Sequence, residues 1–240
     1  MDRLTDAPEL LDGPLEDRAA LAGNLRDLRR INRLLGGVRL SAHALDALAP
    51  GAWSMTMLDI GTGGADIPLA LIERWQRGGR RLTVVATDSR PEIVDLARTM
   101  IDGRVPSGDL DLRVADGRSL PFGDDAFDAV HASMVIHHLE PLEAVGMLAE
   151  MARVARLGVV VNDLARGRLQ FAGAWLLGHA LTGNRLTRHD APLSVRRAYT
   201  RDEVAALGAQ AGIRIVHAAT DSLRHRWAIA AVGERHGIRS

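Results

Sequence analysis

The stretch Met57-Leu58-Asp59-Ile60-Gly61-Thr62-Gly63-Gly64-Ala65-Asp66-Ile67-Pro68-Leu69-Ala70-Leu71 decides the fold. Its first four residues end an apolar run of the kind a buried parallel strand shows. The glycines that follow suit a tight turn and a close approach of backbone to a ligand. From Ala65 to Trp75 the apolar residues Ile67, Leu69, Leu71 and Trp75 recur at helical spacing, with Glu73, Arg74 and Arg77 on the polar side. Strand, glycine turn and helix in this order build a nucleotide site in α/β folds, because the turn N–H groups and the helix N-terminus face the ligand.

The same alternation continues downstream. Strands are expected over 82–87, 110–115, 126–132 and 157–161, with helices over 67–76, 91–100 and 141–153 between them. Thr200, with Glu203 at the capping-box position, starts a helix over 201–211, and 213–218 and 226–232 are close enough to pair as an antiparallel hairpin. The expected architecture is a Rossmann-like, doubly wound, seven-stranded, mainly parallel sheet whose last strand is antiparallel. Ahead of it, 14–35 reads as an amphipathic helix stopped by Gly36-Gly37, and Ser41 as the cap of a second helix, 42–48. Residues 1–13 are polar and expected to fray. The division is therefore a helical lid, 1–50, and a main domain, 51–240, with an insertion over 165–199 that is too long for an ordinary strand-to-helix loop.

Composition narrows the chemistry. The 240 residues carry 30 basic and 30 acidic side chains, so there is no global pull toward nucleic acid or an anionic membrane. Every basic residue besides histidine is Arg, which rules out a lysine nucleophile or Schiff base. There is no Cys, hence no disulfide, thiolate metal site or cysteine nucleophile. No apolar run approaches a membrane span, and the acidic start MDRLTDAPELLDG lacks a signal-peptide pattern, so a cytoplasmic location is expected.

Two cofactor classes use a strand–glycine–helix site. In the dinucleotide pattern G-x-G-x-x-G/A, Asp66 would occupy the third small position, where its charge would repel a pyrophosphate. Asp59, just before the glycines, suits instead a ligand with an amino group. Together with later strand ends, these residues resemble the class I S-adenosylmethionine-dependent methyltransferases, in particular the small-molecule group that includes the ubiquinone/menaquinone-biosynthesis enzymes. LDIGTGGAD is similar to the family's first motif, D/E-x-G-x-G-x-G, departing at Ala65; VVATDSR resembles the second; VADGRSLPFGDDAFDAVHASMVIHHL resembles the third and fourth. The resemblance implies that Asp59, Gly61, Thr62, Gly63 and Asp66 surround the cofactor. It implies that Asp88, beside Ser89, holds both ribose hydroxyls, that Asp116, next to Gly117, accepts from the adenine amino group, and that Ser133 offers its carbonyl to the methionine amino group. The implied cofactor is S-adenosylmethionine, leaving as S-adenosylhomocysteine.

The acceptor is expected to be a small molecule, with oxygen the favoured atom. A base for it is sought among His131, His137 and His138 near the fourth strand and His179 and His189 in the insertion, with His137, His138 and His189 put forward. His137 and His138 also read as plain packing at a helix start, and His131, inside a strand, as structural. The segment Asn184-Arg185-Leu186-Thr187-Arg188-His189-Asp190 resembles one in methyltransferases associated with type III polyketide synthases, which implies a phenolic or polyketide-like acceptor. There His189-Asp190 would be base and orienting partner; the alternative is a solvated loop. Candidate acceptor-binding residues are Arg33, Asn162, Arg185, Arg196 and Tyr199. No metal is expected, because Ser133 and Met134 stand where catechol-type enzymes carry a ligating Asp. Three alternatives stay open: C-methylation of a quinone-like ring, an RNA or protein methyltransferase using the Arg-rich face of the first helix, and a cofactor-binding protein without transfer activity. No nucleic acid and no membrane span are expected among the partners, and the chain is read as monomer or homodimer.

Overall fold

In the computed structural model, residues 1–14, 17–104 and 108–234 are described. Seven strands form one sheet in the order β3-β2-β1-β4-β5-β7-β6. They are β1 (Ser54–Ile60), β2 (Arg81–Asp88), β3 (Leu110–Val114), β4 (Phe127–Ser133), β5 (Ala155–Leu164), β6 (Ile213–Thr220) and β7 (Arg226–Gly233). Neighbours pair in parallel except β7, which runs antiparallel to both β5 and β6, as expected from the closing hairpin. The strand order reverses at β1, with β2 on one side and β4 on the other. Ligands bind such sheets in the crevice beyond the strand ends at this reversal. Register brings Ile60 level with Thr87 and Ala132, so the residues that follow these strands meet at one edge.

Side chains alternate across the sheet and each face is covered. Leu58, Val130, Val159 and Trp227 share one core with Met147 and Met151 of α5 (Pro141–Val154) and Val204 of α8 (Arg201–Gln210). Their sequence neighbours Met57, Ala129, Val160 and Ala228 point the other way. There they pack with α2 (Gly37–Leu48), α3 (Asp66–Arg77) and α4 (Pro91–Ile101) through Leu45, Ile72, Trp75 and Val94. Over that layer lies α1 (Arg18–Leu34), and the expected insertion forms α6 (Arg168–Leu181) and α7 (Arg185–Arg197). Thr200 caps α8 with the reciprocal Glu203 bond, as its spacing predicts.

Two expectations at the N-terminus are corrected. The second helix begins at Gly37, after Gly36 in the left-handed region, so Ser41 lies inside it instead of capping it. Ala44 and Leu45 of α2 are fully buried in the sheet core, which makes this helix a sheet-covering layer and not a lid. Of the helix expected over 14–35, residues 15 and 16 lie outside the described residues, and α1 begins at Arg18, capped by Asp17, whose carboxylate accepts from Ala20 N–H. Residues 9–13 do not fray. They form a 3-10 turn whose Leu10 and Leu11 N–H groups donate to Asp190 at 2.8 and 3.0 Å. Arg90 donates to the carbonyls of Leu11 and Gly13 at 2.9 and 2.7 Å, and Arg197 to Asp12 at 2.9 Å. Every one of these partners is remote in sequence, so no local pattern announces the strap.

Candidate active site

The turn after β1 is built as its glycines require. Gly61 and Gly63 have φ of 63° and 54°, and Ala65, at the position where the motif departs, has φ of 54°. Thr62 N–H donates to the Thr87 carbonyl at 2.8 Å and Ala65 N–H to the Thr62 carbonyl at 2.9 Å, which closes the turn against β2. The Asp88 carboxylate accepts from Gly63 N–H at 3.1 Å with one oxygen and from Arg90 N–H at 3.2 Å with the other. The turn thus encloses one side of a cavity of about 520 Å³, within the range that accommodates cofactor-sized ligands. Asp59, Gly61, Thr62, Gly63, Asp66, Asp88, Ser89, Asp116, Gly117 and Ser133 all border it.

The wall is acidic. Burial pushes the Asp88 carboxyl above the usual carboxylate range, against the two backbone N–H bonds. Asp66, the first residue of α3, is likewise raised by burial, while Asn32 donates to it at 3.0 Å. Asp116 is held below the usual range by its bond from Arg118, which also reaches Glu143. Asp59 meets His131 Nδ1 at 2.5 Å; His131 Nε2 meets Ser41 Oγ at 2.8 Å, and Asn162 donates to Ser41 Oγ and to the Gly37 carbonyl, each at 2.8 Å. This buried chain ties β1, β4 and β5 to α2, so His131 is structural. Thr62 Oγ1 and Ser133 Oγ are buried without a hydrogen-bond partner among the described residues. Orphaned hydroxyls and carboxylates, with Arg90 and Arg118 the only guanidiniums bordering the cavity among the described residues and both paired with carboxylates, fit a sulfonium nucleoside bearing an amine and a diol better than a pyrophosphate.

A second cavity, about 240 Å³, adjoins the first: Leu11, Leu28, Met134 and His138 border both. Its wall is mostly apolar, with Ile31, Leu34 and Leu35 on one side, Ala174, Leu177 and Gly178 of α6 on another and Val195 of α7 on a third. Met134 is held at the junction in the left-handed region, φ 61°, with its N–H bonded to the Asn162 carbonyl at 2.9 Å. His137 Nδ1 meets Asp163 at 2.7 Å and His138 Nδ1 meets Asp12 at 2.8 Å. Burial would raise Asp163, but its His137 partner outweighs this and holds it low. Burial pushes the Glu9 carboxyl, between the two histidines, up to about 7. Arg226, the first residue of β7, is buried in the same wall, and its Nη atoms have no hydrogen-bond partner among the described residues.

The expected acceptor residues are not brought here. His189 does pair with Asp190 at 2.8 Å, but its side chain is 50% exposed and borders neither cavity. The Asp190 carboxylate is spent on the strap. Arg33, Arg185 and Arg196 are exposed outside both cavities. Asn162 is buried in the Ser41 network. Tyr199 donates to the Leu139 carbonyl at 2.8 Å beneath Arg3, and burial pushes its phenol up to about 12. The sequence reading placed a helix face (Arg33) and a polar loop (185–190) at the pocket, whereas the chain turns those side chains to solvent and presents α1 and α6 through apolar ones. Missed in turn were Glu9, Asp12, Met134 and Arg226. Only Met134, next to Ser133, stood beside a recognised motif.

Comparison with known proteins agrees with the geometry. Residues 57–158 match the family described as "Methyltransferase domain". A ubiquinone/menaquinone biosynthesis C-methyltransferase of Geobacter sp. (strain M21) is 30% identical over 102 residues, 42% of this chain and 41% of that protein. The O-methyltransferase cnsE of Penicillium expansum is 34% identical over 133 residues, 53% of this chain and 44% of that protein. The alignments therefore span less than half of either relative. Among solved structures, a SAM dependent methyltransferase from Aquifex aeolicus superposes with a TM-score of 0.64 at 19% identity, over 88% of this chain and 97% of that one, a likeness of fold. Residues 57–158 thus match a methyltransferase domain, and the fold around them is that of a SAM dependent methyltransferase.

Proposed function

We propose that the protein methylates a small, largely apolar acceptor, seated in the second cavity, at an oxygen atom. The observation that carries this reading is the adjacency of the two cavities, one acidic and lined by strand ends, the other apolar, meeting at Met134 and His138. S-adenosylmethionine, when bound, supplies a methyl group on a sulfonium, which passes in line to the acceptor nucleophile as the carbon–sulfur bond breaks. The chain's own residues hold and orient. Asp88 would take the ribose hydroxyls, Asp116 the adenine amino group, and the Ser133 carbonyl the methionine amino group. Leu11, Leu28 and Met134 exclude water from the junction, as alignment of the reacting atoms requires. An apolar cavity of about 240 Å³ favours a small ring over a nucleic acid or a protein side chain.

Carbon is the second reading, favoured by the relative named a C-methyltransferase. Incubation with methyl-labelled cofactor and a panel of phenols, quinols and polyketide-like rings, with mass spectrometry locating the label, separates the two. Transfer to a small ring supports the proposal. Cofactor binding without transfer to any of them, alongside labelling of RNA or protein, would overturn it.

A further inference from the structure

We propose that Glu9, His137 and His138 bind a divalent cation of the zinc class in the wall of the apolar cavity. One carboxylate oxygen and two imidazole nitrogens from these residues lie within 4.8 Å of one another. Glu9 Oε1 is 3.7 Å from His137 Nε2, and Glu9 Oε2 is 3.9 Å from His138 Nε2. These separations are too long for hydrogen bonds. They are a few tenths of an ångström longer than the roughly 3.3 Å edge of a tetrahedron with zinc–nitrogen and zinc–oxygen bonds of about 2.0–2.1 Å. A small inward movement of the three side chains around an ion would close the difference.

Each histidine is prepared for such a role. His137 Nδ1 is bonded to Asp163 and His138 Nδ1 to Asp12, at 2.7 and 2.8 Å. A carboxylate on Nδ1 fixes the ring and leaves Nε2 as the free ligand atom, the arrangement that supports metal-bound histidines. An independent observation points the same way. Glu9 Oε1 is buried without a hydrogen-bond partner among the described residues, on a side chain only 3% exposed. An unpaired buried carboxylate oxygen is costly unless something positive meets it. Arg197 is 3.9 Å from that oxygen and is engaged with Asp12 at 2.9 Å. Glu9, Asp12 and Asp163 outnumber the two buried guanidiniums nearby, Arg197 and Arg226, the second of which interacts with Asp163.

Two imidazoles and one carboxylate suit zinc, cobalt or nickel and not the oxygen-preferring magnesium or calcium. Three protein ligands leave a further position open. All three residues border the apolar cavity, so that position faces it and would hold an acceptor's hydroxyl or carboxyl oxygen. This last step rests on the methyltransferase reading; the cation site itself does not.

The test uses tag-free, chelator-treated full-length protein, titrated with cobalt(II) chloride and then zinc chloride, with no cofactor present. One equivalent of cobalt is expected to bind with the visible absorption of a four- or five-coordinate site and to be displaced by zinc. Glu9→Gln and His138→Asn should each weaken uptake at least tenfold; the second keeps a donor toward Asp12 while removing Nε2. Cofactor titration of Glu9→Gln, a residue outside the cofactor cavity, reports whether that variant is folded; if it is not, His138→Asn decides. Absence of saturable uptake by the wild-type protein, or uptake unchanged in the folded variants, would overturn the site. Because the readout needs neither cofactor nor acceptor, its failure leaves the methyltransferase reading standing, and failure of methyl transfer leaves the cobalt result standing.

Discussion

Asp88 has two kinds of partner to satisfy. Its carboxylate already takes the N–H groups of Gly63 and Arg90, and its remaining lone pairs face the cofactor cavity. Loss of hydrogen bonds to a charged acceptor costs roughly 1.5–3 kcal/mol. Asp88→Ala is therefore expected to raise the S-adenosylmethionine dissociation constant at least tenfold, as calorimetry would measure; unchanged binding removes the ribose assignment. Protonation supplies a gentler version of the same experiment. Burial has raised this carboxyl, and under the proposed assignment ribose hydroxyls would donate to its charged form. Affinity is thus complete above the raised pKa and falls as pH drops through it, toward the ordinary carboxylate value of about 4. Asp66, raised by burial in the same wall, adds to the fall. Asp88→Asn should make the pH dependence shallower; an identical slope would assign it to other groups. Asp59, Asp88, Asp116 and Ser133 were legible in the sequence because each lies at the end of a strand or within two residues of it, inside a recognisable motif. Glu9 was not, because its meaning depends on histidines far along the chain.

Among the elements, α3 shows how far a motif can depart and still fold. Ala65 takes the left-handed conformation that a glycine would occupy there, without a side-chain cap for the helix it precedes. Its small Cβ makes the strain tolerable at about 1–2 kcal/mol. A β-branched residue has far less access to this region, and Ala65 is already fully buried. Ala65→Val is expected to destabilise by about 2 kcal/mol or more, read as a lower midpoint in urea, with Ala65→Gly close to wild type. Strand order and the α8 capping box were readable because they rest on periodicity and on spacing of a few residues. The start of α2 was not. Ser41 has the chemistry of a helix cap, and the deciding fact is a histidine on β4 that claims its hydroxyl.

The whole molecule is closed by the N-terminal strap. Asp190 on α7 fastens Leu10 and Leu11, Arg90 after β2 fastens Leu11 and Gly13, and Arg197 fastens Asp12. Asp190→Ala leaves two N–H groups without their acceptor, at a cost of about 1–3 kcal/mol. The expected outcome is a lower melting temperature together with faster amide exchange over 9–13; protection there equal to wild type would show that Arg90 and Arg197 hold the strap alone. The two cavities differ in which parts of the chain build them. Among the described residues, the matched region 57–158 gives the apolar cavity Met134, His137 and His138, and every other wall residue comes from before or after it. The larger cavity is lined mainly by the matched region, kept in shape by its turn and its acids. The apolar cavity is walled mainly by two flanks outside the matched region, so its shape can be changed by substitution there while the glycine turn and its acids stay as they are.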